Sequence, residues 1–141
     1  MVVRNKEGSL NKEERRIVKA LLARNWRNQD IQHLLNKGRI ATINSARITE
    51  VKGDDTIKRA KDEETDFFVR KKDSFDPRTG LNLYDDERLI RARESMILAV
   101  NVFNNPGMQF KTEVFAVLAN VAWTYLLHEY YERKSVKIIG K

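Results

Sequence analysis

Apolar residues between Leu10 and Val51 recur at three- and four-residue steps, in three short blocks separated by polar breaks. Ile17, Ala20 and Leu21, widened by Val18 and Leu22, predict a first helix opened by Asn11 as N-cap, with Glu13 and Glu14 in its first turn. Asn25-Trp26-Arg27 breaks it. Asn28 is positioned to cap a second helix, whose inner face is Ile31, Leu34 and Leu35. Asn36-Lys37-Gly38 closes that helix, Gly38 being free to take a left-handed conformation. A third helix is expected from about Thr42, whose hydroxyl would cap the Ser45 amide, with Ile43, Ala46, Ile48 and Val51 inward.

The pattern changes after Lys52. Residues 53–84 are charged with both signs and hold one strongly apolar spot, Phe67-Phe68-Val69, ahead of the turn sequence Asp76-Pro77-Arg78-Thr79-Gly80. This reads as a linker with an aromatic anchor, Phe67 or Phe68 docking on a neighbouring core.

Beyond Asp85 the helical period returns and lengthens. Leu89, Ala92, Met96, Ala99 and Phe103, flanked by Ile97 and Val100, predict one long helix ended by Asn104-Asn105-Pro106-Gly107. A second, roughly Lys111 to Arg133, is apolar almost all round, through Val114, Phe115, Val117, Leu118, Val121, Trp123, Tyr125 and Leu126. A short breaker between two long helices makes an antiparallel hairpin. The fold class expected is therefore all-α: a three-helix helix-turn-helix module over 1–52, a linker over 53–84 and a helical hairpin over 85–141.

A helix without a polar face has to be covered from several directions. The hairpin is accordingly expected to assemble a homodimer, or to dock in a larger complex through residues 85–134. Met96, Val100, Phe103, Val114, Leu118, Val121 and Tyr125 are the candidate contacts. The competing arrangement folds the N-terminal module back over the hairpin.

Charge sharpens the picture of the first module. Residues 1–52 carry 12 Lys or Arg against 5 Asp or Glu, a surplus of 7 that equals the net charge of the whole chain, +7. Concentrated positive charge suits a polyanion, and the third helix offers residues that read base edges. Asn44 has the groups for adenine and Arg47 for guanine, while Thr42 and Ser45 suit a base or a phosphate. Lys37, Arg39 and Lys52 are placed to clamp phosphates, and Asn28 and Gln29 to hold the backbone. Each has a structural alternative: Thr42 and Asn28 as caps, Arg47 as a partner of Glu50 or Glu14. The turn is slightly longer than the tightest helix-turn-helix form, and Gln32 stands where a small residue is common. Duplex DNA is the expected partner, with RNA as an alternative.

Other chemistry is thin. The sequence has no cysteine, which removes disulfides and thiolate metal sites and agrees with a reducing cytoplasm. Residues 1–6 show no apolar signal-peptide region, and the apolar run Val114–Leu127 is too short for a membrane span, which needs about 20 residues. His128, Glu129 and Glu132 fall short of a zinc motif, phosphate-binding glycine loops and a nucleophile elbow are absent, and the carboxylates Asp62, Glu63, Glu64 and Asp66 lie in a polar stretch. No metal, no cofactor and no catalysis are expected.

Two stretches carry a resemblance. LNKEERRIVKALLARNWRNQDIQHLLNKGRIATINSARITEVK, and ARESMILAVNVFNNPGMQF continuing into EVFAVLANVAWTYLLHEYY, resemble a bacterial family of unknown function in which a helix-turn-helix precedes an α-helical domain. Asn28-Gln29-Asp30-Ile31 and Asn104-Asn105-Pro106 are its most specific parts. The family's members run longer, so the resemblance implies a short form or a fragment. The helical part is also similar to HEPN-type four-helix bundles, many of them ribonucleases of toxin–antitoxin and antiphage systems. Their Arg and His motif has no counterpart here: Arg27 and His33 lie in the first module, and no suitable Arg precedes His128. What the resemblance implies is a DNA-binding regulator or targeting subunit of a defence or mobile-element system. An interaction or scaffold subunit, and a ribonuclease relative lacking its active site, are the alternatives.

Overall fold

The computed structural model describes residues 8–139, with side chains described to residue 135. It is mostly helical, as expected, and divides into two compact units that meet between Asn82 and Leu83 in the sequence.

In the N-terminal unit, α1 (Lys12–Ala23), α2 (Asn28–Asn36) and α3 (Ser45–Gly53) pack around one core. Its centre is Val18 and Leu21 of α1, Ile31 and Leu35 of α2 and Ile48 of α3. Asn11 opens α1 through a reciprocal box: its Oδ1 accepts from the Glu14 amide at 2.7 Å while Glu14 accepts from the Asn11 amide at 3.0 Å. The chain then turns at Asn25, whose φ of 61° is a left-handed value that asparagine tolerates.

Two helix starts differ from expectation. Arg27, without a side-chain cap, takes the N-cap position of α2, so Asn28 lies inside the helix. The cap of α3 is Asn44 rather than Thr42, its Oδ1 accepting from the Arg47 amide at 3.3 Å. The later start follows from Ile43, which is buried ahead of the helix: its amide donates to Asn36 Oδ1 at 2.8 Å, and its carbonyl accepts from Asn36 and Gln32. Gln32, the residue out of place for a tight turn, is thus a structural part of the longer one. Ala46, expected inward, is exposed, because at two residues from the buried Ile48 it lies on nearly the opposite face of the helix.

The segment expected as a linker holds a further helix, α4 (Asp62–Asp73), packed on α1 and α2. Only a narrow face, Thr65, Phe68 and Val69, meets the core, which is why its composition looks like linker. Phe68 is the anchor; Phe67 is half exposed. Three acids in the first turn and three bases in the last, Arg70, Lys71 and Lys72, complement the helix dipole. A minimal antiparallel hairpin follows, β1 (Phe75–Asp76) with β2 (Leu81–Asn82), Phe75 opposite Asn82. Its Phe75 ring packs on Gly38, which sits in the α2–α3 turn with φ 72°.

The C-terminal unit is the antiparallel pair α5 (Glu87–Phe103) and α6 (Lys111–Ile139). Ala92, Ala99 and Ala122 are its buried residues, so small side chains bring the helices close along the seam. Phe103 meets Phe115 at the turn end, ring centroids 5.3 Å apart. At the open end Arg133 binds Asp86 at 2.7 Å and Glu129 at 2.5 Å, and Arg88 reaches Glu132 and Glu129. Among the described residues no helix is long and apolar enough to cross a membrane.

Candidate nucleic-acid interface

The third helix is held by its inner residues, Ile48 and Val51, and by a cation at its end. Lys19 of α1 donates to the carbonyls of Val51, Lys52 and Asp54 at 2.9–3.3 Å, closing the last turn of α3. Lys72 does the same for α2, donating to Leu35 and Lys37. Ser45, Ala46, Arg47, Thr49, Glu50 and Lys52 remain exposed, together with Thr42 and Asn44 ahead of the helix.

The candidate residues divide into two groups. Gln29, Thr42, Ser45, Arg47 and Lys52 are exposed, and Asn44 keeps its amide nitrogen free of the cap bond. Arg47 is shared with Glu50, both of whose oxygens accept from it at 3.1 Å. Asn28 reaches Thr49 at 3.4 Å and so bridges α2 to α3. The two expected phosphate clamps on the turn are committed elsewhere. Arg39 is only 12% exposed and binds Glu14 at 2.9 Å and the Ser9 carbonyl at 2.7 Å. Lys37 pairs with Asp73 at 2.6 Å. Both belong to the module's internal bonding, because α4 and the N-terminal segment bring acceptors within reach.

The same neutralisation runs through the unit. Arg24 binds Asp62 and Asp66, and Arg16 binds Glu64, so much of the positive surplus of the first 52 residues is met by the acidic turn of α4. The bonds from Asp66 and Asp62 raise the Arg24 pKa further above its ordinary range. Arg27 and Asp30 pair at 2.8 Å, which raises the guanidinium and lowers the carboxyl. Asp54 is held below its usual value mainly by the Thr56 hydroxyl and amide.

Among the described residues up to 52, what stays unpaired is a smaller set. Lys12, Arg15 and Lys52 form no ion pair among the described residues, and Arg15 joins Arg47, Glu50 and Asp54 around a cleft of about 260 Å³ between α1 and α3. Sequence reasoning missed Arg15 and Thr49; both lie on polar helix faces, and the spacing from Ile17 and Ile48 would have exposed them.

In the hairpin, the residues expected to mediate assembly also divide. Met96, Val114, Leu118 and Tyr125 are half-buried along the α5–α6 pair, whereas Val100, Phe103 and Val121 are exposed. Trp123, Tyr130, Leu126 and Leu127, outside the expected set, are exposed as well.

Comparison with known proteins assigns part of the chain. Residues 87–140, which are α5 and α6, match a family described as a domain of unknown function (DUF3644). No curated protein and no solved structure matches the chain.

Proposed function

We propose that the N-terminal unit is a helix-turn-helix module that binds duplex DNA through the first turns of α3, and that the hairpin assembles two copies on the duplex as a regulator or targeting subunit. The observation that carries the reading is the presentation of α3. Its inner face is locked by Ile48, Val51 and the Lys19 cap, while Thr42, Asn44, Ser45, Arg47 and Thr49 stand in solvent on a braced turn. A protein that reads base edges requires such a rigid, polar, solvent-facing helix start.

The ion pairing sets the expected electrostatics. Arg39, Lys37, Arg24 and Arg16 are engaged internally and so are withheld from phosphates. Binding is therefore expected to be modest in affinity, with a shallow salt slope for each copy. The same pairing also favours a second reading, an interaction subunit whose N-terminal module meets a protein or RNA.

Fluorescence anisotropy on duplex DNA and RNA of equal length, at two salt concentrations, tests the reading. Preference for duplex DNA, weakened several-fold by Arg47→Ala, supports it. No binding, or equal binding by Arg47→Ala, turns the module over to the interaction reading.

A further inference from the structure

The hairpin has two unlike sides. A helix advances about 100° per residue, so residues at equal rotation from the Ala92–Ala99–Ala122 seam fall on the same side of an antiparallel pair. One side carries two of the bonds that cross the open end, Arg88 to Glu132 and Arg91 to Tyr125, while a third, Arg133 to Asp86, lies towards the other. The other carries Ile97, Val100 and Phe103 of α5 with Trp123, Leu126, Leu127 and Tyr130 of α6, each 40–55% exposed. Phe103 against Phe115 and Arg91 against Tyr125 set the register. Towards the turn, bulky α5 residues stand beside Ala116 and Ala119 of α6; towards the open end, Trp123 and Tyr130 stand beside Leu89 and Arg93.

We propose that this side, which keeps Val100 and Phe103 of the expected set but not Met96, Val114, Leu118, Val121 or Tyr125, is where a second copy of the chain docks, forming a four-helix bundle. The proposal rests on the assembly reading above and specifies its surface. A two-fold axis parallel to the helices lays α5 of one copy over α6 of the other. Ile97 and Val100 then sit on the Ala116–Ala119 depression, and Trp123 of the second copy covers Leu89 and Arg93, where the guanidinium meets the indole face.

The area suits a stable pair. Three aromatic and four aliphatic side chains, each about half exposed, leave roughly 650 Å² of apolar surface per copy. Two copies would bury about 1,300 Å², within the range of specific protein interfaces. The opposite side offers Leu98, Val117 and Val121 near the turn but is ionic at the open end.

Sedimentation equilibrium on the whole chain tests the inference. The wild type is expected to be a dimer at micromolar concentration. Val100→Glu and Trp123→Glu should weaken it by about 30-fold or more, while Leu98→Glu and Val117→Glu leave it dimeric. Trp123→Ala, with helicity checked by circular dichroism, guards against a folding defect and should also weaken the pair. A monomeric wild type overturns both the assembly reading and this surface. A dimer that survives Val100→Glu and Trp123→Ala, or that Leu98→Glu dissociates equally, overturns the surface alone.

Discussion

Arg39, in the turn ahead of α3, and Glu14, in the first turn of α1, meet at 2.9 Å with side chains only 12% and 13% exposed. Glu14 completes the α1 capping box with its other oxygen, and Arg39 also holds the Ser9 carbonyl. One ion pair thus fastens the chain entry, the first helix and the turn that presents α3.

Removing Arg39 leaves Glu14 nearly buried, with the Asn11 amide as its remaining partner. Arg39→Ala is expected to destabilise the N-terminal unit by about 2–4 kcal/mol. Urea unfolding followed by Trp26 fluorescence in a Trp123→Phe background measures it; a loss below about 0.5 kcal/mol would class the pair with ordinary surface bridges.

Gly38 has φ 72°, and a Cβ there would lie 3.2 Å from the Phe75 ring. Gly38→Ala should cost about 1–2 kcal/mol from backbone conformation alone. The same unfolding assay checks it, and an unchanged midpoint would show that the turn relaxes freely.

Asn44 caps α3, and under the proposed function it also reads DNA; the two roles are separable. Asn44→Ser retains a capping oxygen, so stability should change by less than about 0.5 kcal/mol, whereas Asn44→Ala should lose about 1 kcal/mol. If Asn44 reads a base, both variants lose DNA affinity; if it only caps, Asn44→Ser binds as the wild type does.

The Asp30, Asp54 and Asp76 carboxyls all lie below their ordinary values, Asp30 through Arg27, Asp54 through Thr56, and Asp76 through the Arg78 amide and the Thr79 hydroxyl. A depressed folded pKa means stabilisation that is complete above the unfolded value of about 3.9 and lost as pH falls through the folded one. Stability should therefore decline from about pH 5 towards about pH 2. Asp54→Asn should flatten that decline, and identical acid curves for variant and wild type would remove Asp54 from the account.

The seam of the hairpin tolerates little volume. Ala99 is fully buried, so Ala99→Leu should cost about 1–3 kcal/mol by forcing α5 and α6 apart. Thermal unfolding read by circular dichroism tests this, and an unaltered curve would mean that the helices already pack loosely there.

The sequence by itself determined the helices whose apolar period is strong: α1, α2, α5 and α6 follow from Ile17–Leu21, Ile31–Leu35, Leu89–Phe103 and Val114–Leu126. Periodicity is local, and the hydrophobic effect enforces it wherever a wide stripe is buried. Tertiary structure decided what depends on distant partners. Helix α4 buries only Thr65, Phe68 and Val69, too narrow a stripe to outweigh its charges until α1 and α2 are present to receive it. The start of α3 moved to Ser45 because Ile43 is fixed by Gln32 and Asn36 across the turn. The charge surplus was legible, but its destination was not: Coulomb partners such as Glu14 for Arg39 and Asp73 for Lys37 lie 25 and 36 residues away in sequence, and folding alone brings them within bonding distance.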